Sequence, residues 1–183
     1  VAGRIAYGQD CVITPDSNTN GADEGQLIDC GNDASLDITG NEITLEAWVK
    51  HSIVPDFGDW YGILNHKGWS NGYRIFMPDN SLKLNFQLPG DTDSLTSAGD
   101  ITARGWHHVV ATYDGAKMNI YIDGVKDANE RSKTNNIESV PPDENEVWIG
   151  HGDQHPRHSG QFVEGANHTC DASLTLRLRS PGV

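Results

Sequence analysis

From Ile43 to Gly150 the chain repeatedly switches between apolar and polar residues with a period of two. Ile43, Leu45, Ala47 and Val49 alternate with Thr44, Glu46, Trp48 and Lys50. That period predicts a strand with one buried face. Trp48 adds a large apolar group to the second face, which is therefore expected to be partly covered. Tyr61–Asn65 and Tyr73–Met77 are predicted as strands joined through His66–Gly72, and Pro78-Asp79-Asn80-Ser81 reads as a tight turn. Leu82, Leu84, Phe86 and Leu88 then alternate with Lys83, Asn85 and Gln87, predicting an antiparallel hairpin with Tyr73–Met77. Such a hairpin puts the loop near Asn71 and the loop after Leu88 at one end of the sheet. Val109–Tyr113 and Met118–Ile122 predict a second hairpin around Asp114-Gly115, followed by a turn at Asp123-Gly124. Residues 126–145 read as a long polar surface loop with one short strand, and Val147–Gly150 as a further strand.

The ends are less regular. Val1–Ala6 predicts a short edge strand, 14–25 a polar loop, and Gln26–Cys30 a short strand. Residues 151–160 form a histidine-rich polar loop, and Leu174, Leu176 and Leu178 alternate as a closing strand would. No internal repeat, heptad pattern or amphipathic helix is present. The fold class is all-β, an antiparallel sandwich of two packed sheets. A chain of 183 residues suits one such domain, spanning 1–183.

Charge narrows the partners. The formal net charge of −13 disfavours nucleic acid and anionic lipid. No apolar run reaches membrane-spanning length, so membrane insertion is not expected. Val1 begins without a signal-like apolar segment, as a mature or excised domain would. Cys11, Cys30 and Cys170 permit one disulfide and one remaining thiol, with the pairing left open. None lies in a Cys-x-x-Cys pair, which disfavours a thiolate zinc site.

The strand-and-turn series built on Ile43–Lys50, Gly105-Trp106-His107-His108-Val109-Val110-Ala111-Thr112-Tyr113-Asp114-Gly115, Met118–Gly124 and Glu146–Gly150 resembles the laminin-G-like, or concanavalin A-like, jelly roll. The resemblance covers about residues 27–165. It implies a non-catalytic binding module, secreted or at the cell surface, that takes a glycan or glycoprotein with the help of calcium. An alternative is a protein–protein adhesion domain in which calcium is structural or absent. The tail departs from the family pattern after Gln161-Phe162-Val163-Glu164-Gly165, so no family site is carried onto the last strand.

Calcium wants six to eight oxygens, roughly, from carboxylates, amides, backbone carbonyls and water. In laminin-G-like and pentraxin-like relatives the ion sits where three loops meet at one rim. The resemblance maps those loops onto Asn71, onto Pro89–Asp93 and onto His151–Gln154. It implies Asn71, Asp91 and Asp153 as side-chain ligands and the Leu88 carbonyl as a backbone ligand. A sugar ring needs an aromatic face with polar groups around it. Trp69 lies in a polar loop beside Asn65, His66 and Tyr73, and these four are the candidate ligand-contacting residues. Trp48, Trp106 and Trp148 sit within strands or at strand starts and are expected to pack in the core or against a sheet.

Other chemistry has thinner support. His151, His155 and His158 share helical spacing, but Gly152, Pro156 and Gly160 oppose a helix, so a solvated loop is expected. The acidic run Asp143-Glu144-Asn145-Glu146 follows Pro-Pro and precedes a strand. It lacks the facing geometry of a glycosidase carboxylate pair. No nucleophile-elbow pattern occurs. No catalytic residue is therefore assigned, and a polysaccharide-degrading enzyme is the least favoured reading. Asn167-His168-Thr169 is a formal glycosylation sequon.

Overall fold

The structure is a computed structural model, and it describes residues 12–15, 26–50, 61–66, 72–78, 80–89, 94–102, 105–139 and 146–149. Among the described residues, eleven strands run in chain order as β1 (Val12–Pro15), β2 (Gln26–Asp29), β3 (Ile43–Val49), β4 (Tyr61–His66), β5 (Arg74–Met77), β6 (Lys83–Gln87), β7 (Leu95–Asp100), β8 (His107–Tyr113), β9 (Lys117–Ile122), β10 (Val125–Ser132) and β11 (Val147–Ile149). One sheet has seven strands in the order β1-β2-β11-β4-β5-β6-β7, and the other has four in the order β10-β9-β8-β3. All pairings are antiparallel. The architecture is the β-sandwich jelly roll that the laminin-G-like resemblance implies.

The core lies between the sheets because each contributes one apolar face. Ile43, Leu45, Ala47 and Val49 of β3 meet the same interior as Ile75 and Met77 of β5 and Leu84, Phe86 and Leu88 along β6. Both predicted hairpins form. β8 and β9 pair from Val109↔Ile122 to Tyr113↔Met118. Their turn is held by Asp114, whose Oδ1 accepts the N–H groups of Ala116 (3.0 Å) and Lys117 (2.7 Å). At the next turn Asp123 and Gly124 have φ of 52° and 79°, the left-handed pair that a two-residue hairpin requires.

Three elements differ from the sequence reading. β7 had no clear pattern. β10 is eight residues long where a loop with a short strand is expected. Apart from Val125 and Ala128 its side chains are polar, so periodicity gives no signal; backbone pairing to β9 defines it instead. β1 falls partly within the expected 14–25 loop, and Pro15 is tolerated because β1 is an edge strand of its sheet. The Val1–Ala6 strand and the tail after Ile149 lie outside the described residues.

The two sheets are clasped where β7 and β10 meet. Asp127 accepts the backbone N–H groups of Ala98 and Gly99, each at 2.8 Å, and Asn129 donates its side-chain amide to the Thr96 carbonyl at 3.0 Å.

Candidate functional site

The rim begins with β5 and β6. Arg74 pairs with Gln87 across the hairpin, and Asn65 pairs with Arg74 across β4 and β5. The segment that follows β4 and the segment that follows β6 therefore leave from the same end of the seven-stranded sheet. The hairpin delivers the shared end that its sequence pattern demands.

The base of this rim is tightly bonded. Arg74 donates from Nε (2.9 Å) and Nη2 (2.5 Å) to Gln87 Oε1, and its guanidinium lies 4.9 Å from the Phe76 ring centroid. His66 donates its N–H to the Tyr73 carbonyl at 3.0 Å, closing the intervening segment. The His66 and Tyr73 rings stack with centroids 4.5 Å apart. Tyr73 Oη donates to the Leu36 carbonyl at 2.8 Å. Burial first, then the nearby Asp37 and Cys30 charges, push the Tyr73 phenol above its ordinary range.

These contacts change the roles of three candidate residues. Tyr73 is 0% exposed, His66 1% and Asn65 5%. A ring with no exposed face cannot cover a sugar, so Tyr73 and His66 form a floor beneath the rim and not a wall against a ligand. The cause is the inward phase of Tyr73, which places it with Ile75 and Met77 in the core. Leu88 likewise buries its side chain just past the end of β6. Trp69, Asn71, Asp91 and Asp153 lie outside the described residues.

The third expected rim loop has a different departure point. β11 is antiparallel to β4, with Val147 opposite His66 and Ile149 opposite Leu64. The chain enters β11 at the rim end and leaves Ile149 heading away from it. The described strand ends thus bring together the roots of the Asn71 and Asp91 segments but not that of the Asp153 segment. The carboxylate and amide oxygens of Asn71 and Asp91 suit calcium by their chemistry. Among the described residues, no group of three or more His, Cys, Asp or Glu side chains is gathered to hold a metal.

The outer face of the four-stranded sheet is unlike the rim. Trp48 and Trp106 are each 46% exposed, which corrects the expectation that they pack in the core or against a sheet. The alternation of β3 already pointed outward at Trp48, along with Thr44, Glu46 and Lys50; the strand's phase outweighed the usual burial of tryptophan. Trp148 is half-buried. Trp48 pairs with His108 across β3 and β8, their ring centroids 5.0 Å apart, and His108 Nε2 lies 2.9 Å from Glu46 Oε1. Lys50 Nζ stands 6.0 Å from the Trp106 ring centroid.

A hydroxyl–imidazole–carboxylate chain also occurs. His107 Nδ1 lies 2.8 Å from Asp123 Oδ2, and His107 Nε2 lies 3.0 Å from Thr102 Oγ1. The Thr102 backbone N–H also donates to that Nε2, at 3.2 Å. With the Thr102 N–H directed at it, Nε2 acts as an acceptor, and Nδ1 faces the Asp123 carboxylate. Asp123 also accepts the His108 N–H at 2.9 Å. That bond, followed by the bond to His107, holds its carboxyl below the usual carboxylate range. The chain fastens the turn at Asp123 to the entry of β8.

Among the described residues, no helix is long and apolar enough to cross a membrane. No curated protein matches the chain. Solved structures similar to it include mouse laminin α1 domains LG4-5, at 10% identity and a TM-score of 0.45, covering 76% of this chain and 34% of that one. The receptor-binding domain of a botulinum neurotoxin C/D mosaic serotype is similar at 13% identity and a TM-score of 0.42, covering 68% of this chain and 35% of that one. A structure of botulinum neurotoxin type C, whose cell entry depends on interaction with two ganglioside molecules, is similar at 15% identity and a TM-score of 0.43, with 68% and 30% covered. The chain therefore spans about a third of the length of these structures. A laminin-G family model matches residues 20–166, and the chain belongs to the concanavalin A-like lectin/glucanases superfamily.

Proposed function

We propose that this domain is an extracellular, non-catalytic carbohydrate-recognition module whose rim loops bind a glycan or glycoprotein with the help of calcium. The observation that supports this most is the common root of the segments after β4 and β6, built on the Arg74–Gln87 pair and the His66–Tyr73 stack. Membership of the lectin/glucanase superfamily is in keeping with it. Two polar loops anchored to one rigid base can present donors to a single ion without much loss of conformational freedom on binding.

In this reading Asn71, Asp91 and the Leu88 carbonyl supply oxygens to calcium, and Trp69 covers the sugar face. Asp153 is the fourth donor, and because β11 runs away from this rim its contribution is the smallest of the four. Bound calcium would fix the loops and offer a charge to sugar hydroxyls.

The test is a glycan array probed in millimolar calcium and again with chelator. Calcium-dependent binding that Asp91→Ala abolishes is the expected result, with a smaller effect from Asp153→Ala. A folded domain that binds no glycan in either condition would overturn the carbohydrate reading. Binding unchanged by chelator and by Asp91→Ala would remove calcium from it.

A further inference from the structure

We propose that the outer face of the four-stranded sheet carries a separate glycan site, formed by Trp48 and Trp106 and suited to sugars bearing a carboxylate. This inference does not rest on the rim reading, since it uses other residues on another surface and needs no metal.

Strand register builds the site. β3 and β8 pair through Trp48↔His108 and Val49↔His107. One step further along the same register sets Lys50 opposite Trp106, in keeping with the 6.0 Å between Lys50 Nζ and the Trp106 ring centroid. Trp48 and Lys50 are two residues apart on β3; Trp106 and His108 are two apart at the start of β8. All four therefore stand on one face as a block of two cross-strand pairs. The tryptophans occupy one diagonal, Lys50 and His108 the other.

That block is held in place. Glu46, outward on β3 two residues before Trp48, engages His108 Nε2 at 2.9 Å. The His108 ring in turn packs against Trp48 at 5.0 Å. The Trp48 ring is therefore supported from one side while nearly half of its surface stays open. Pre-positioned aromatic groups lose little freedom on binding.

The chemistry favours a sugar over an apolar partner. A protein docking patch tends to be a contiguous apolar area with charge depleted at its centre. Here each tryptophan has polar neighbours, so ring faces alternate with hydrogen-bonding groups. A pyranose presents the same alternation: C–H faces for the rings, and hydroxyls for the polar groups beside them. Charge selects the class. In a chain of net charge −13 this block contains Lys50 as a fixed cation, while the Glu46 carboxylate is already engaged by His108. A sugar carboxylate fits beside Lys50, with its ring on Trp106.

The experiment uses the whole chain with chelator present throughout, which silences a calcium rim. Oligosaccharides of glucuronic, galacturonic and sialic acid, with neutral oligomers of glucose and galactose, are the probes, read by calorimetry and tryptophan fluorescence. Binding of at least one carboxylated probe is expected, weakened about tenfold or more by Trp48→Ala and by Trp106→Ala. Lys50→Gln should erase the preference for acidic over neutral sugars. Thermal unfolding of each variant separates lost binding from lost fold. Three results would overturn the proposal: no carboxylated probe bound in chelator, binding in both tryptophan variants equal to that of the wild type, or self-association of the wild-type chain that Trp48→Ala abolishes. The last would assign this face to a second copy.

Discussion

The two sheets treat their outer faces in opposite ways. On the four-stranded sheet, β3 alternates between a buried row and an open one, and its open row includes Trp48 at 46% exposure. On the seven-stranded sheet, Asn85 and Gln87 of β6 and Arg74 of β5 point away from the core, yet are only 3–8% exposed. Residue type would have predicted the reverse, with tryptophan inside and arginine outside. β5 and β6 are interior strands of the seven-stranded sheet, whereas β3 is the last strand of the four-stranded one among the described residues. Buried polar groups must then satisfy each other. Arg74 bonds to Gln87, and Asn85 Oδ1 accepts the hydroxyls of Ser94 (2.9 Å) and Thr96 (2.7 Å).

The interior common to both sheets sets the upper limit of any effect. Phe86 of β6 is fully buried between the sheets. Phe86→Ala should cost about 3–5 kcal/mol, read from the urea midpoint of unfolding. A loss under about 1 kcal/mol would mean that the sheets do not share the packed core described here.

The outer faces give a sharper contrast. Gln87→Ala removes the acceptor of two Arg74 N–H groups in a buried place and should cost about 1.5–3 kcal/mol. Glu46→Ala, on the open face, breaks a partly exposed contact to His108 and should cost roughly 0.5 kcal/mol or less. Equal losses in the two variants would erase the distinction between the faces.

The clasp joining the sheets adds a pH signature. Burial pushes the Asp127 carboxyl up, but backbone N–H groups of Ala98, Gly99 and Asn129 outweigh it, so its folded-state pKa lies below the ordinary 3.8. A depressed carboxylate contributes stability that is present above its unfolded value and is lost as pH falls through the folded one. Stability from the clasp should be constant near neutrality and decline below about pH 4. Asp127→Asn should lower stability at neutral pH by about 1–2 kcal/mol, allowing for the part-exposure of the group, and should flatten the acid limb of the pH profile. An acid limb identical to wild type would show that Asp127 does not carry it.

How much of this was legible in the sequence follows from the same contrast. Period-two alternation located β3, both hairpins and the shared end of the rim, because one-sided burial writes itself into the residue order. It missed β10, which is mostly polar and has no buried row, and β7, where Ser97 is buried next to exposed Ala98 and Gly99. It put Tyr73 and His66 against a ligand because an aromatic next to a polar loop looks the same whether its phase is inward or outward. Reading Tyr73 in phase with Ile75 and Met77 would have buried it. The same care with Trp48, two residues from both Glu46 and Lys50, would have exposed it.

A small expected effect at Trp48 is therefore the most pointed. If Trp48 served packing, as its residue type suggests, Trp48→Ala would resemble a core truncation and cost several kcal/mol, about 3–5 by the usual scale. The open face predicts otherwise. What stability Trp48 supplies comes from its ring contact with His108 and from partial cover of β3, so the loss should be about 1 kcal/mol or less. A large exposed ring that contributes little to folding is open to contact with a ligand. Thermal unfolding of Trp48→Ala beside Phe86→Ala decides between the two accounts. A small shift for the first and a large one for the second keeps this face available for a ligand. Comparable shifts would return Trp48 to the structural framework and leave the acidic-sugar site without its principal ring.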